Sequence, residues 1–532
     1  MIRTGAVGRD GFDPSGNAVQ TEGSSHSSTS LELNPSQDKA EVSIPLAATD
    51  QLHFRIEDGA LRTSDDLRTL YAHGDELDET AIYSYLQFGA VVPPLSPWKG
   101  IRRFIPGTTT AVSTSGELAI REQSSLKSFP RVSPSPSIAQ QVSTVVSALD
   151  RVLLEHCADR PVTILFSGGV DSGLLAARAS AIGLKDVTLV NYSFGPDDPE
   201  SKLAEQMARH LGLKFVRIEE CSDGSDVADV LQHAGRYYRT PFSDPSAAPT
   251  CALVRAVIAQ SAAGGVVLDG IGADGDFGLF AKVAQWQRLH SVPALGRKLG
   301  AMAYRGTRAW KHDSRFEYWL RLLRRTSQWQ YPFATFAQNA LLGIAYHPSK
   351  ESVHAIEGHL DQWLAYIASP EPRPQLIAFD LAQLCASVAA QKARSLFNGT
   401  SLNIVYPYLL PDVIEVALAS ADWTGSEKEP KWVLKAALAQ HVPPTMVYRA
   451  KSAFMPSMPA KLGHKAFLAA FDKLLEPQSP MRRFLDRKFL QDIRPKLARK
   501  QELSPQVGRF VWGAVFANEW IEQILNQSIL PF

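Results

Sequence analysis

The stretch Ile164-Leu165-Phe166-Ser167-Gly168-Gly169-Val170-Asp171-Ser172 constrains this chain more than any other. Apolar strand residues run into a Ser/Gly turn, and a helix carrying Ala176 and Ala177 follows. Strand, loop and helix start are the parts of an anion cradle. Gly168 and Gly169 permit positive φ and close backbone approach, the helix start presents unpaired N–H groups, and Ser167 and Ser172 add hydroxyl donors. A pyrophosphate fits such a cradle. The carboxylate of Asp171 repels phosphate by itself, so its place in the loop implies a divalent cation bridging it to the ligand. No GxxxxGK[ST] occurs, so this is not a Walker loop. Read blandly, the same residues form a tight turn with a helix-capping aspartate.

Around the loop, strand-like and helix-like segments alternate, as in a parallel sheet with helices on both faces. Thr163 to Phe166, Val187 to Phe194, Lys214 to Ile218 and Val266 to Leu268 are the expected strands. Between the second and third, Asp198-Pro199 supplies a cap and a first-turn proline, Leu203, Met207 and Leu211 mark one apolar face, and Gly212 ends the helix. Beyond about residue 280 helical periodicity dominates. The fold class expected is α/β: a parallel sheet wound with helices, a helical C-terminal layer and a small α+β N-terminal unit.

A chain of 532 residues exceeds one ordinary core. Residues 1–45, rich in Ser, Gly, Asn, Gln and Thr, read as a flexible tail. Residues 46–123 mix short alternating runs with a helical segment from Thr80 to Phe88, giving the α+β unit. The Pro/Ser-rich stretch 124–138 reads as a linker, and 139–532 as the main domain. A formal charge of +1 gives no global attraction to nucleic acid or anionic lipid. Four scattered cysteines argue against a disulfide scaffold or a zinc site and fit a reducing cytoplasm. No signal-type segment or apolar run of membrane-spanning length occurs, so export and membrane spanning are not expected.

A second Gly-rich loop, Asp269-Gly270-Ile271-Gly272-Ala273-Asp274-Gly275-Asp276-Phe277-Gly278, follows the strand at Val266. Neighbouring parallel strands would bring Asp171 and Asp274 to one carboxyl edge, where such sheets bind ligands. The hexapeptide Ser167 to Ser172 resembles the pyrophosphatase loop of ATP enzymes that cleave between the α- and β-phosphates. The second loop resembles the S-G-x-G-A-D-E-x-F-G pattern of asparagine synthetases and their relatives, the β-lactam synthetases and lasso-peptide cyclases. Lesser matches are Pro241-Phe242-Ser243-Asp244-Pro245-Ser246, Tyr448-Arg449-Ala450-Lys451-Ser452-Ala453-Phe454, and the upstream run Ile101 to Gly107.

The resemblance implies that ATP and Mg²⁺ are the cofactors. It implies that Asp171 and Asp274 hold the metal, and that Phe166, Ser167, Gly168, Gly169, Asp171, Ser172, Phe194, Asp269 and Gly270 line the nucleotide. Lys451, in the R-x-K-x-x-F segment, is implied as the catalytic cation; loss of a group so placed costs roughly 3 to 4 kcal/mol.

The chain also departs from the pattern. Asp269 and Gly275 replace its first Ser and its Glu. Ile271 stands where asparagine synthetases carry Glu and β-lactam synthetases Tyr, and cannot accept a proton or bind ammonium. In the family's E-x-R-x-P-F stretch, Asn403 and Val405 replace Glu and Arg. Glutamine-dependent members begin with a cysteine after Met removal; here Ile2 occupies that place, the unit before the linker is short, and glutaminase activity is not expected. The expectation is a carbon–nitrogen ligase that joins a carboxylate and an amine of one small-molecule or peptide substrate through an acyl-adenylate. That is the reaction of a lasso-peptide cyclase or lactam synthetase, with a precursor peptide and a protease as partners. The rivals are an ammonia- or glutamine-using asparagine synthetase, a degenerate nucleotide-binding partner protein, and a tRNA lysidine synthetase; the last places its loop near the chain start. From Ala281 to Gln330, eleven basic residues and four tryptophans face only Asp313 and Glu317, which reads as a solvated helical face or a docking surface. Neither a membrane nor nucleic acid is expected as a partner.

Overall fold

The computed structural model describes residues 30–34, 39–58, 60–113, 118–123, 136–220, 224–278, 280–307, 323, 341–367, 372–419, 429–449 and 458–526. Twelve strands lie among them. They are β1 (Ser30–Asn34), β2 (Lys39–Ile44), β3 (His53–Glu57), β4 (Ala60–Ser64), β5 (Ile101–Arg103), β6 (Thr108–Ser113), β7 (Leu118–Gln123), β8 (Val162–Leu165), β9 (Val187–Ser193), β10 (Lys214–Glu219), β11 (Val266–Leu268) and β12 (Asn403–Val405).

The central sheet has the order β10-β9-β8-β11-β12, all pairs parallel. Both faces are covered, and the alternation of side chains shows it. Val187 and Leu189 of β9 and Val266 and Leu268 of β11 face one apolar cluster, which also holds α2 (Ile138–Cys157) and α3 (Val170–Ala181). Val190 and Tyr192, and Val267 between its neighbours, face the other cluster. Near-continuous apolar strands are what a sheet covered on both faces requires. Ser137 begins α2 with a capping box closed by Gln140.

The expected strands are present to within a residue or two. The β9–β10 connection is α4 (Pro199–His210), capped by Asp198, with Pro199 in its first turn and Gly212 beyond it at φ +68°. Its fully buried face is Ser201, Ala204, Met207 and Ala208, with Leu203 and Leu211 only partly covered. β12 was not anticipated, because three residues carry no readable period.

The N-terminal region departs further from expectation. Strands β1 and β2 fall inside residues 1–45, read above as a flexible tail, and pair with β6 and β7 in a four-stranded antiparallel sheet of order β1-β2-β6-β7. Val42 and Ile44 are buried against Phe54, Phe104 and Val112. The polar composition hid them, because β2 takes its backbone partners from β6, some 65 residues on. A second antiparallel sheet, β4-β3-β5, and α1 (Glu79–Phe88) complete the unit.

This unit keeps a small apolar cluster of its own around Val42, Phe54 and Phe104, and shares its larger one with the main domain. α1 lies in the same apolar cluster as one face of the central sheet and the helix Pro505–Leu525. Tyr85 donates to the Gly513 carbonyl at 2.8 Å, and Trp363 Nε1 to that of Pro106 at 3.0 Å. Arg394 makes two 2.9 Å bonds to the Asp50 carboxylate, and Arg239 pairs with Asp65. The helical layer includes a ten-residue π-helix, Asp380–Ala389, a rare form that often marks functional sites. No helix among the described residues is long and apolar enough to cross a membrane. Cys157, Cys251 and Cys385 are buried free thiols.

Candidate active site

The order β10-β9-β8-β11-β12 reverses direction at β8: the chain steps outward to β9 and β10, then returns to place β11 on the other side. The crevice beyond the carboxyl ends of β8 and β11 is therefore a topological switch point, where open parallel sheets bind ligands. Asp171 follows β8 and Asp274 follows β11.

The first loop is held from below and behind. Asn191 donates from Nδ2 to the Phe166 carbonyl at 2.8 Å, and Ser201 Oγ donates to Asn191 Oδ1 at 2.6 Å, which fixes where β8 ends. Gly168 takes φ +68°, and a Cβ there would lie 2.7 Å from Ala204 Cα, so both conformation and packing require glycine. Gly169 does not use that freedom; it is extended, at φ −75° and ψ 174°. Ser167 and Ser172 hydroxyls lie 3.2 Å apart, the Ser172 hydroxyl also accepts from the Ser167 N–H at 3.2 Å, and Gly169 N–H donates to Ser167 Oγ at 3.2 Å. Tyr408, fully buried, donates its hydroxyl to the Asp171 carbonyl at 3.1 Å. Phe194 follows β9 at the same edge, its ring edge-on to Tyr192 with centroids 5.3 Å apart and its N–H bonded to Asp198 at 3.0 Å.

The two loops touch at Gly270, where a Cβ would lie 3.1 Å from Asp171 Cβ. Asp269 accepts from the Ile271 N–H at 3.2 Å; burial raises its carboxyl to about 6, against the opposing pull of Lys392. Lys392 bridges Asp244 at 2.9 Å and Ser246 Oγ at 2.8 Å, so the Pro241–Ser246 stretch forms part of the adjoining wall. Behind the second loop, Asp276 is 1% exposed and neither carboxylate oxygen has a hydrogen-bond partner among the described residues. Burial and then the nearby Asp380 push its pKa well above the ordinary range. Gly275 stands against the same aspartate: a Cβ on it would lie 2.5 Å from Asp380 Oδ2.

The structure brings Asp171 and Asp274 together through a residue the sequence did not single out. Lys431 Nζ lies 2.6 and 2.7 Å from the two oxygens of Asp171 and 2.8 Å from Asp274 Oδ1. Burial works against its charge, but the two carboxylates outweigh it and hold its pKa above the usual lysine value. Nothing local distinguishes Lys431 from Lys428 or Lys435; only the folded chain selects it. Lys451, the expected catalytic cation, lies outside the described residues. Its neighbour Arg449 is placed on the phosphate loop, donating to the Gly168 carbonyl at 3.0 Å and pairing with Glu200 at 2.6 Å. Beyond Thr307, the basic segment 281–330 also lies outside the described residues except at Leu323.

The candidate ligands at this point are carboxylate oxygens, with the Lys431 ammonium between them, and among the described residues no third Asp, Glu, His or Cys joins them in a metal-binding group. That donor set fits Mg²⁺, which takes one or two carboxylates and draws its remaining ligands from water and substrate phosphates. The Asp274 side chain is 57% exposed, so this side of the pair is open.

The family model for asparagine synthase matches residues 145–522, which include both loops, β12 and Arg449. The chain belongs to the asparagine synthase family. This domain is accordingly that of an ATP-using carbon–nitrogen ligase. Among curated proteins none matches the chain significantly. Solved structures with slight likeness include two NAD synthetases. A glutamine-dependent NAD⁺ synthetase from Acinetobacter baumannii, in complex with ADP, is 20% identical over 37% of this chain and 41% of its own, with a TM-score of 0.19. An NH₃-dependent NAD synthetase from Campylobacter jejuni subsp. jejuni NCTC 11168, in complex with nitrate, is 14% identical over 50% of this chain and 97% of its own, also at 0.19. Neither bears on the activity of this asparagine synthase family member.

Proposed function

We propose that this chain forms an amide bond at the expense of ATP, through an acyl-adenylate, and that the carboxylate and the amine belong to one peptide or small-molecule substrate. The observation that carries the reading is the convergence of Asp171 and Asp274 at the switch point, above a glycine-bearing loop and a helix start. In the proposed reaction a substrate carboxylate oxygen attacks the α-phosphorus of ATP and pyrophosphate leaves. The amine nitrogen then attacks the acyl carbon, AMP leaves, and the amine gives up a proton. Phe166 to Ser172 would cradle the phosphates, with Phe194, Asp269 and Gly270 around the nucleotide. Asp171 and Asp274 would hold Mg²⁺, which when bound neutralises charge on the departing pyrophosphate. Lys451 would stabilise charge on the phosphates and the reacting carboxyl.

The amine side supports a tethered nucleophile. Ile271 is partly covered by the core, Val405 is 1% exposed, and Asn403 carries no charge. None of the three can take a proton from ammonia, whereas an amine already joined to the acyl group needs no pocket of its own. The subclass proposed is a lasso-peptide cyclase or other lactam synthetase, with a precursor peptide as substrate and a protease as partner.

The test is exchange of labelled pyrophosphate into ATP, run with a panel of peptides and amino acids carrying free carboxylates. Exchange with one member of the panel, followed by a product lighter by one water, is the expected result. Incorporation of labelled ammonia would replace this reading by an intermolecular amide synthetase, and absence of all exchange would leave a nucleotide-binding partner protein.

A further inference from the structure

Two carboxylates that face each other across a phosphate site repel, and something cationic must hold them there when no nucleotide is present. Lys431 is built for that position. It is 5% exposed, its ammonium contacts both aspartates, and its backbone sits at φ +58°, a left-handed conformation that a side-chain-bearing residue rarely adopts. Its N–H is fixed to the Phe277 carbonyl at 2.9 Å, and Phe277 closes the short helix Ala273–Phe277 on which Asp274 rides. The lysine is therefore tied by its main chain to one aspartate's loop and by its side chain to both aspartates.

We propose that Lys431 is a resident counter-cation that keeps the Asp171–Asp274 pair from taking up a divalent cation until the cation arrives with nucleotide phosphates. A bare cation gains the two carboxylates only by stripping a buried ammonium of both partners, and a buried charge left alone is costly. Nucleotide phosphates remove that obstacle, since they offer the ammonium new anionic partners on the same side of the loop. Lys431 is thus a positioning residue, acting through the aspartates. The proposal rests on the reading of that pair as metal ligands.

The test uses Mn²⁺ alone as the probe, with the full chain, and counts bound ion by the loss of the free Mn²⁺ resonance signal. Without nucleotide the wild type should bind Mn²⁺ at least tenfold more weakly than Lys431→Met, and the gain should vanish in Lys431→Met combined with Asp274→Asn. Thermal unfolding gives a second readout: Lys431→Met should melt lower than wild type in chelator and recover with Mn²⁺, whereas a purely structural lysine would give a loss that Mn²⁺ does not restore. If Lys431→Met does not fold, wild type decides alone, since an unchanged melting temperature on adding millimolar Mn²⁺ without nucleotide is required. Tight Mn²⁺ binding by nucleotide-free wild type, lost in Asp171→Asn, would overturn the proposal and leave the metal pair standing. If instead Asp171→Asn leaves Mn²⁺ binding in the presence of ATP unaltered, the metal reading itself fails.

Discussion

Asp171 and Asp274 each keep one partner in Lys431 when the other is neutralised, so single substitutions should leave the fold intact while removing a proposed ligand for the cation. Asp171→Asn and Asp274→Asn should each lower pyrophosphate exchange at least about a hundredfold with unchanged circular dichroism. Near-normal exchange in either would end the shared-metal assignment. Asp269 gives a separate, pH-resolved test. Its folded pKa of about 6 exceeds the ordinary value of 3.8, so the folded state binds the proton more tightly than the unfolded chain. The stability this contributes is fully present below about 4 and is lost as pH rises through about 6. Asp269→Asn should therefore melt close to wild type at pH 4 and above it at pH 7 to 8. An equal difference at both pH values would show that burial does not perturb this carboxyl.

At the scale of elements, the phosphate loop depends on one backbone conformation and one close approach. Gly168→Ala places a side chain at φ +68° and drives Cβ into the Ala204 backbone, so it should cost about 1 to 3 kcal/mol in denaturant unfolding and weaken ATP binding. Gly169→Ala, at an extended residue meeting only the Ser167 hydroxyl at 3.2 Å, should cost clearly less. If the two variants lose stability equally, the loop is not held as described. These elements also show what could be read in advance. β8, β9, β10, β11 and α4 were legible because apolar runs, caps and glycine stops are local signals. β12 was too short for a period, and the π-helix at Asp380–Ala389 follows no period that sequence patterns test. Asp171 and Asp274 could be singled out as candidates because they sit in recognisable loops, and the structure sets both against one ammonium. Lys431 escaped because its role is set by two partners, 260 and 157 positions away, and by no motif at its own position.

For the whole molecule, the shared core matters more than the linker that interrupts the sequence. α1, the central sheet and the Pro505–Leu525 helix bury their apolar faces together, and Asp50 and Arg394 meet in the same interior. Burial opposes the Asp50 charge, but Arg394 holds its pKa below the usual carboxylate range. Asp50→Ala leaves Arg394 buried with its main partner gone, so it should cost about 3 to 5 kcal/mol. Fluorescence and circular dichroism should report one common transition for wild type, because the larger apolar cluster of the N-terminal unit is shared with the central sheet and the Pro505–Leu525 helix. Two resolved transitions, with the Asp50→Ala effect confined to one, would contradict a single cooperative body.

Gly275 carries a consequence for what this loop can accept. A Cβ there would lie 2.5 Å from Asp380 Oδ2 and 2.9 Å from Leu381 Cδ2, so any side chain at 275 requires both neighbours to turn aside. Asp380 is also the charge that, after burial, pushes the Asp276 carboxyl upward. Positions 275, 276 and 380 are therefore coupled, and what one of them tolerates depends on the other two.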